Sequence, residues 1–130
     1  MAKHVLVIWT NGEAWGQMSP EEQQGLFMEY FQYTQWLIDQ GWFVAGDPLT
    51  PPARTVRVRD GQTQVTDGPF AETKEYLGGY YELECTAEQA LEAAAKCPDA
   101  RFGAIQVQEV MPVEAPPGTE MPHVREEQQV

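Results

Sequence analysis

Three groups of side chains in this sequence have types and spacings that chemistry can use. The first is Asp67, set directly before Gly68-Pro69-Phe70. A carboxylate at a strand end beside a Gly-Pro turn can act as a base or hold a polar group of a substrate. The same carboxylate can instead accept backbone N–H bonds within the turn, or pair with Arg54. The second group is Arg54, Arg57 and Arg59, three of only 8 basic residues in the chain. Their guanidinium forks suit an anionic ligand, and on a solvated edge hairpin they also discourage aggregation. The third is Glu72, Lys74 and Glu75, which reads as a surface ion-pair set of small energetic weight. Phe70 reads as a plug for the core ahead of a stacking surface. Tyr30 and Tyr81 can offer hydroxyls to a pocket. Tyr33, Trp36, Trp42 and Tyr80 read as core or subunit seam.

Other reactive types are placed less promisingly. Cys85 and Cys97 form no C-x-x-C and have no histidine near them in sequence, which argues against zinc and for a reducing compartment. Cys85 has apolar strand neighbours and reads as an inert buried thiol, while Cys97 ends a helix, where the dipole disfavours a thiolate. His4 lies in a strand and reads as packed; His123 lies in the tail and has no assigned role. There is no glycine-rich phosphate loop, no G-x-S-x-G elbow and no metal-spaced cluster, so neither metal nor cofactor is expected.

The elements that must position these residues are legible in the pattern. Lys3–Trp9 is a β-branched run, apolar on both faces, expected as a central strand. Thr10–Met18 reads as a loop. Ser19-Pro20-Glu21-Glu22 is a capping box with proline at the first helical position. The helix it opens carries Leu26, Phe27, Tyr30, Phe31, Thr34, Leu37 and Ile38 at helical spacing and ends at Gly41. Trp42–Ala45 is a short strand, expected to stop at Gly46-Asp47-Pro48. A hairpin follows around Asp60-Gly61. A two-residue turn there pairs Arg59 with Gln62, Val56 with Val65 and Arg54 with Asp67. Arg54, Val56, Val58, Thr63, Val65 and Asp67 then share one face, with Arg57 and Arg59 on the other. Ala71–Leu77 reads as a polar loop or helical turn. Tyr80–Cys85 is a strand with Tyr81, Leu83 and Cys85 on one face. Thr86-Ala87-Glu88-Gln89 caps a second helix, expected to turn Ala90, Leu91, Ala94 and Ala95 inward and to close at Cys97-Pro98. Phe102–Val110 is the last strand.

The order is β-α-β, hairpin, β-α-β. It predicts an α+β fold, a ferredoxin-like βαββαβ sheet with an inserted β-hairpin and both helices on one face. One chain of 130 residues has nothing left to cover the other face, so a homodimer with stacked sheets is expected. The net charge of −12, from 20 acids against 8 bases, argues against direct nucleic-acid binding and association with an anionic membrane. The longest apolar run, Val5–Trp9, is far short of the ~20 residues that span a bilayer, and no secretion signal opens the chain. Residues 111–130 hold Pro112, Pro116, Pro117 and Pro122 and read as an extended tail. The tail has four acids and one base, so −9 of the −12 stays on residues 1–110.

Asp67-Gly68-Pro69-Phe70-Ala71-Glu72-Thr73-Lys74-Glu75, with Leu77-Gly78-Gly79-Tyr80-Tyr81 after it, resembles the YCII-related, or DGPF-domain, family. Ser19-Pro20-Glu21-Glu22, Gly46-Asp47-Pro48-Leu49 with Pro51-Pro52, Thr55-Val56-Arg57 and Cys97-Pro98 fit the same pattern. The resemblance covers roughly residues 3–110, so residues 1–110 are read as the domain and 111–130 as a tail outside it. It implies a dimeric α+β barrel in the cytoplasm of a bacterium. It also implies that Glu72, Lys74 and Glu75 line the pocket or the dimer seam. In the broader family a helix histidine and an aspartate near the sheet are a proposed catalytic pair. Those positions fall here on Tyr30 and Asp67. A tyrosine with a pKa of about 10 is a poor general base at neutral pH. The resemblance further implies association with an extracytoplasmic-function sigma factor. The reading preferred from the sequence is therefore a small-molecule-binding or regulatory module. Arg54, Phe70, Glu72, Lys74 and Tyr81 would then be ligand contacts. The alternative is a lyase-, hydrolase- or isomerase-type enzyme using Asp67 with Tyr30 or Arg54.

Overall fold

The computed structural model describes residues 2–68 and 74–122. In chain order the elements are strand β1 (Ala2–Asn11), helices α1 (Gly12–Gln17) and α2 (Pro20–Gln40), strands β2 (Phe43–Pro48), β3 (Arg54–Arg59), β4 (Gln62–Asp67) and β5 (Glu75–Cys85), helix α3 (Ala87–Lys96), a 3₁₀ turn (Pro98–Arg101) and strand β6 (Ala104–Glu109). Four strands form one antiparallel sheet in the order β2-β5-β1-β6, with β1 central as expected. This is the ferredoxin-like order of an α+β fold. β3 and β4 form a separate two-stranded sheet whose register is the one the Asp-Gly turn dictates, Arg54 opposite Asp67 and Arg59 opposite Gln62.

Alternation along the central strands decides what each face does. His4, Leu6, Ile8 and Thr10 of β1 and Tyr81, Leu83 and Cys85 of β5 point under the helices and are buried. Leu37, Tyr33 and Leu26 of α2 and Ala90, Ala93 and Ala94 of α3 are the helical residues buried in the core. The two helices are tied directly, since the Tyr33 hydroxyl donates to the Ala93 carbonyl at 2.6 Å. Val5, Val7 and Trp9 form a half-buried stripe on the opposite face, flanked across the ladders by Tyr80 and Glu82 on one side and Gln106 and Gln108 on the other. That face is an apolar stripe with polar margins, less uniformly apolar than the strand pattern suggests.

Both capping boxes form. Ser19 and Glu22 bond reciprocally at the start of α2, and Thr86 and Gln89 do so at α3. Gly41 ends α2 in the left-handed region, at φ 80°.

Four expectations need correction. Residues 12–17, expected as loop, form α1, because the Asn11 side chain caps the Ala14 N–H. β2 runs through Gly46 to Pro48: it is an edge strand, where a proline without an N–H is tolerated, and Gly46 leaves room for the Tyr81 ring. β5 begins at Glu75, because a bulge between Ile8 and Trp9 carries the ladder on to Asn11 opposite Glu75. The helix faces are also rotated. Phe27, Phe31 and Ile38 are exposed, and Leu91 gives its inward place to Ala93.

Candidate functional site

The rotated face of α2 has a consequence. Between the N-terminal half of α2, the β1–β5 floor and the end of β2 lies a cavity of about 540 Å³. That volume is ordinary for a small-molecule site. Ile8 and Thr10 form part of its floor, Leu26, Tyr30 and Thr34 its helical side, and Phe43 and Tyr81 its inner wall. α1 contributes Trp15, whose ring meets Phe27 edge-on at 5.6 Å. Phe31, 74% exposed, and Leu49 stand where the cavity meets solvent.

Asp99 lines the cavity and is only 6% exposed. It sits in the 3₁₀ turn after α3, fixed by Phe102 and Gly103 N–H groups donating to its carbonyl at 3.1 and 2.8 Å. The Tyr30 hydroxyl donates to Asp99 Oδ2 at 2.5 Å, and Thr10 Oγ1 reaches the same oxygen at 3.5 Å. Thr10 has room to do so because Gly78, the unpaired residue of the bulge, lies against it, and a Cβ there would fall on the Thr10 hydroxyl. Thr34 Oγ1 and the Tyr81 hydroxyl form a second polar pair on the wall, 2.6 Å apart.

Burial pushes the Asp99 carboxyl above the usual carboxylate range, while the bonds from Tyr30 and Thr10 and the charge of Arg101 pull it down. Arg101 is itself held by Glu29, with Nη2 at 2.8 Å from both carboxylate oxygens. The Tyr30 hydroxyl is raised by burial first, then by Cys97 and Asp99, so it acts as a donor and not as a base. Burial likewise raises the Tyr33 and Tyr81 hydroxyls. The Cys97 thiol, 3.6 Å from the Tyr30 hydroxyl, is pushed up to about 11, chiefly by burial, and is no thiolate nucleophile. The arrangement can therefore accept or donate a proton at one partly shielded carboxyl and can orient a polar ligand group with fixed hydroxyls.

The residues singled out from sequence divide between this cavity and other places. Tyr30 and Tyr81 line it. Asp67 and Arg54 stand together at the open end of the β3–β4 hairpin, 3.7 Å apart, with side chains 85% and 77% exposed, and neither lines the cavity. Lys74 is exposed and meets α1 through its carbonyl, which accepts the Gly12 N–H at 3.2 Å. Phe70 and Glu72 lie outside the described residues. The carboxylate that meets Tyr30 is thus Asp99, 69 positions along the chain. In sequence, Cys97-Pro98 reads as a helix stop and the aspartate after it passes unnoticed. The available signal was weak: an acid just past a proline usually means a turn. Thr10 and Thr34 gave no signal. Among the described residues no group of three or more His, Cys, Asp or Glu could hold a metal ion. Nor, among them, is any helix long and apolar enough to cross a membrane.

The YCII-related domain matches residues 3–114. A 46-residue stretch is also 50% identical to part of an uncharacterized protein of Rhizobium meliloti (strain 1021), covering 35% of this chain and 37% of that protein. The chain belongs to the YCII-related family.

Proposed function

We propose that this chain is a small-molecule-binding module whose ligand enters the cavity beside α2 and sets one polar group against Asp99. The observation that carries this reading is a cavity of about 540 Å³ with a buried, hydroxyl-bonded carboxylate on a largely apolar wall. The test is a protein-observed NMR screen of the full chain with uncharged aromatic fragments. The expected hits move resonances of Thr10, Tyr30, Thr34, Tyr81 and Asp99 together. A screen whose hits all map elsewhere, or that has none, removes the proposal.

A regulatory use belongs to the same reading. Occupancy would be sensed by a second copy lying on the Val5-Val7-Trp9 stripe, or by a sigma factor in the bacterial cytoplasm. Co-purification with tagged chain reports on the latter. A second reading, favoured specifically by the raised Asp99 carboxyl beside the Tyr30 donor, is proton-transfer catalysis of the lyase, hydrolase or isomerase kind. It requires a bound fragment to turn over, and that turnover to vanish in Asp99→Asn.

A further inference from the structure

The walls of the cavity also say which charge it will take, an inference that rests on the binding reading above. Among the described lining residues there is no lysine, arginine or histidine. The ionisable acids are Asp99 and Asp47, and the Asp47 carboxylate already accepts the Tyr80 hydroxyl at 2.8 Å. Both hydrogen bonds to the Asp99 side chain land on Oδ2, and among the described residues no donor reaches Oδ1. Arg101, the cation whose charge is felt by Asp99, spends its guanidinium on Glu29 and the Pro98 carbonyl. An anion entering this space would meet a carboxylate whose neighbouring cation, Arg101, is already held by Glu29. A cation would meet the opposite sign.

Much of the remaining wall is aromatic. Trp15, Tyr30, Phe31, Phe43, Tyr76 and Tyr81 all line the cavity. Aromatic faces attract cations through the ring quadrupole, and more strongly where water is partly excluded. The whole molecule works in the same direction, because a net charge of −12 enriches cations at its surface and repels anions. We infer that the cavity selects an organic cation: a primary or substituted ammonium on an aromatic or other flat apolar body, with the nitrogen at Asp99 Oδ1 and the body against the rings.

Three near-isosteric probes decide it: phenethylamine, phenethyl alcohol and phenylacetate, each titrated into the full chain at neutral pH and low salt with chemical-shift detection. The amine should bind about tenfold tighter than the alcohol, with phenylacetate weakest, as expected for one partly desolvated ion pair with cation–π support. Asp99→Asn should bring the amine down to the affinity of the alcohol and leave the alcohol within about threefold, because only the charge is removed. If the alcohol or phenylacetate binds as tightly as the amine while moving the same resonances, the charge assignment falls and the binding site stands. The charge assignment falls in the same way if Asp99→Asn keeps the preference for amine. If none of the three moves the cavity resonances, both readings fall. Should the variant fail to fold, the wild-type ranking of the three probes decides alone.

Discussion

At the scale of single residues, Asp99 carries the argument, and its titration can be read without any ligand. Its carboxyl is raised by burial, so the folded chain holds that proton more tightly than the unfolded chain, where the ordinary value is about 3.9. The sign follows from linkage. Below the ordinary value both states are protonated and the native state has the full benefit. As pH rises past it, the unfolded chain ionises first and stability is lost, until the folded carboxyl ionises too. Asn at this position keeps an oxygen for Tyr30 and Thr10 but cannot titrate. Melting temperatures of wild type and Asp99→Asn, measured from pH 3.5 to 8, should therefore diverge in one direction, with wild type losing ground as pH rises. Every other carboxylate is common to the two proteins and cancels. For a chain of this size each kcal/mol moves the midpoint by about 4 °C, so the drift is measurable. Wild type gaining on the variant with rising pH would show that Tyr30, Thr10 and Arg101 outweigh burial.

At the scale of elements, the bulge in the β1–β5 ladder makes the site possible. It offsets the register between Ile8 and Trp9 and places Gly78 against Thr10, whose hydroxyl is then free to reach Asp99. Gly78→Ala puts a methyl group onto that hydroxyl and within 3.1 Å of the Thr10 Cβ. A β-branched side chain in a strand has little freedom to swing aside. The cost should be about 1–3 kcal/mol by urea denaturation, the usual range for overpacking. Adding Thr10→Ala should restore at least half of it by removing the hydroxyl, and a strictly additive double variant would show that the two residues do not collide. Elements of this kind mark where sequence reading stops. The helix caps at Ser19 and Thr86, the Gly41 stop and the Asp60-Gly61 register are local chemistry, and all were legible. α1, with two glycines in six residues, carried no helical periodicity to read. The bulge depends on which strands meet. Asp99 is further still from legibility: its importance exists only once α2 and the turn after α3 are laid side by side. Asp67 draws attention because a Gly-Pro turn is conspicuous in sequence, yet its own side chain is 85% exposed beside Arg54 and away from the cavity.

At the scale of the whole molecule, two forces act on the uncovered sheet face in opposite senses. Val5, Val7 and Trp9 lie in a row along the central strand, and no described secondary-structure element is packed over them. Burying such a row against a second copy gains about 25 cal/mol per Å² of apolar surface removed from water. Against this stands charge: each chain brings −12, and Glu82 and Glu84 border the stripe, with Lys3, 3.8 Å from Glu82, as partial offset. Hydrophobic burial does not fade with salt, whereas repulsion between surface charges is screened beyond about 10 Å at 0.1 M ionic strength. A dimer built on this stripe should therefore strengthen as salt is added, the reverse of a complex held by ion pairs. Light scattering at micromolar chain should give twice the 14.7 kDa chain mass at 0.5 M salt, and a dissociation constant about tenfold weaker at 0.02 M. Val7→Asp sits mid-stripe, between Tyr80 and Gln106 across the two ladders. It should yield a folded monomer at both salt concentrations, checked by circular dichroism. A wild-type monomer at high salt, or a Val7→Asp dimer as tight as wild type, would place the subunit contact elsewhere or abolish it.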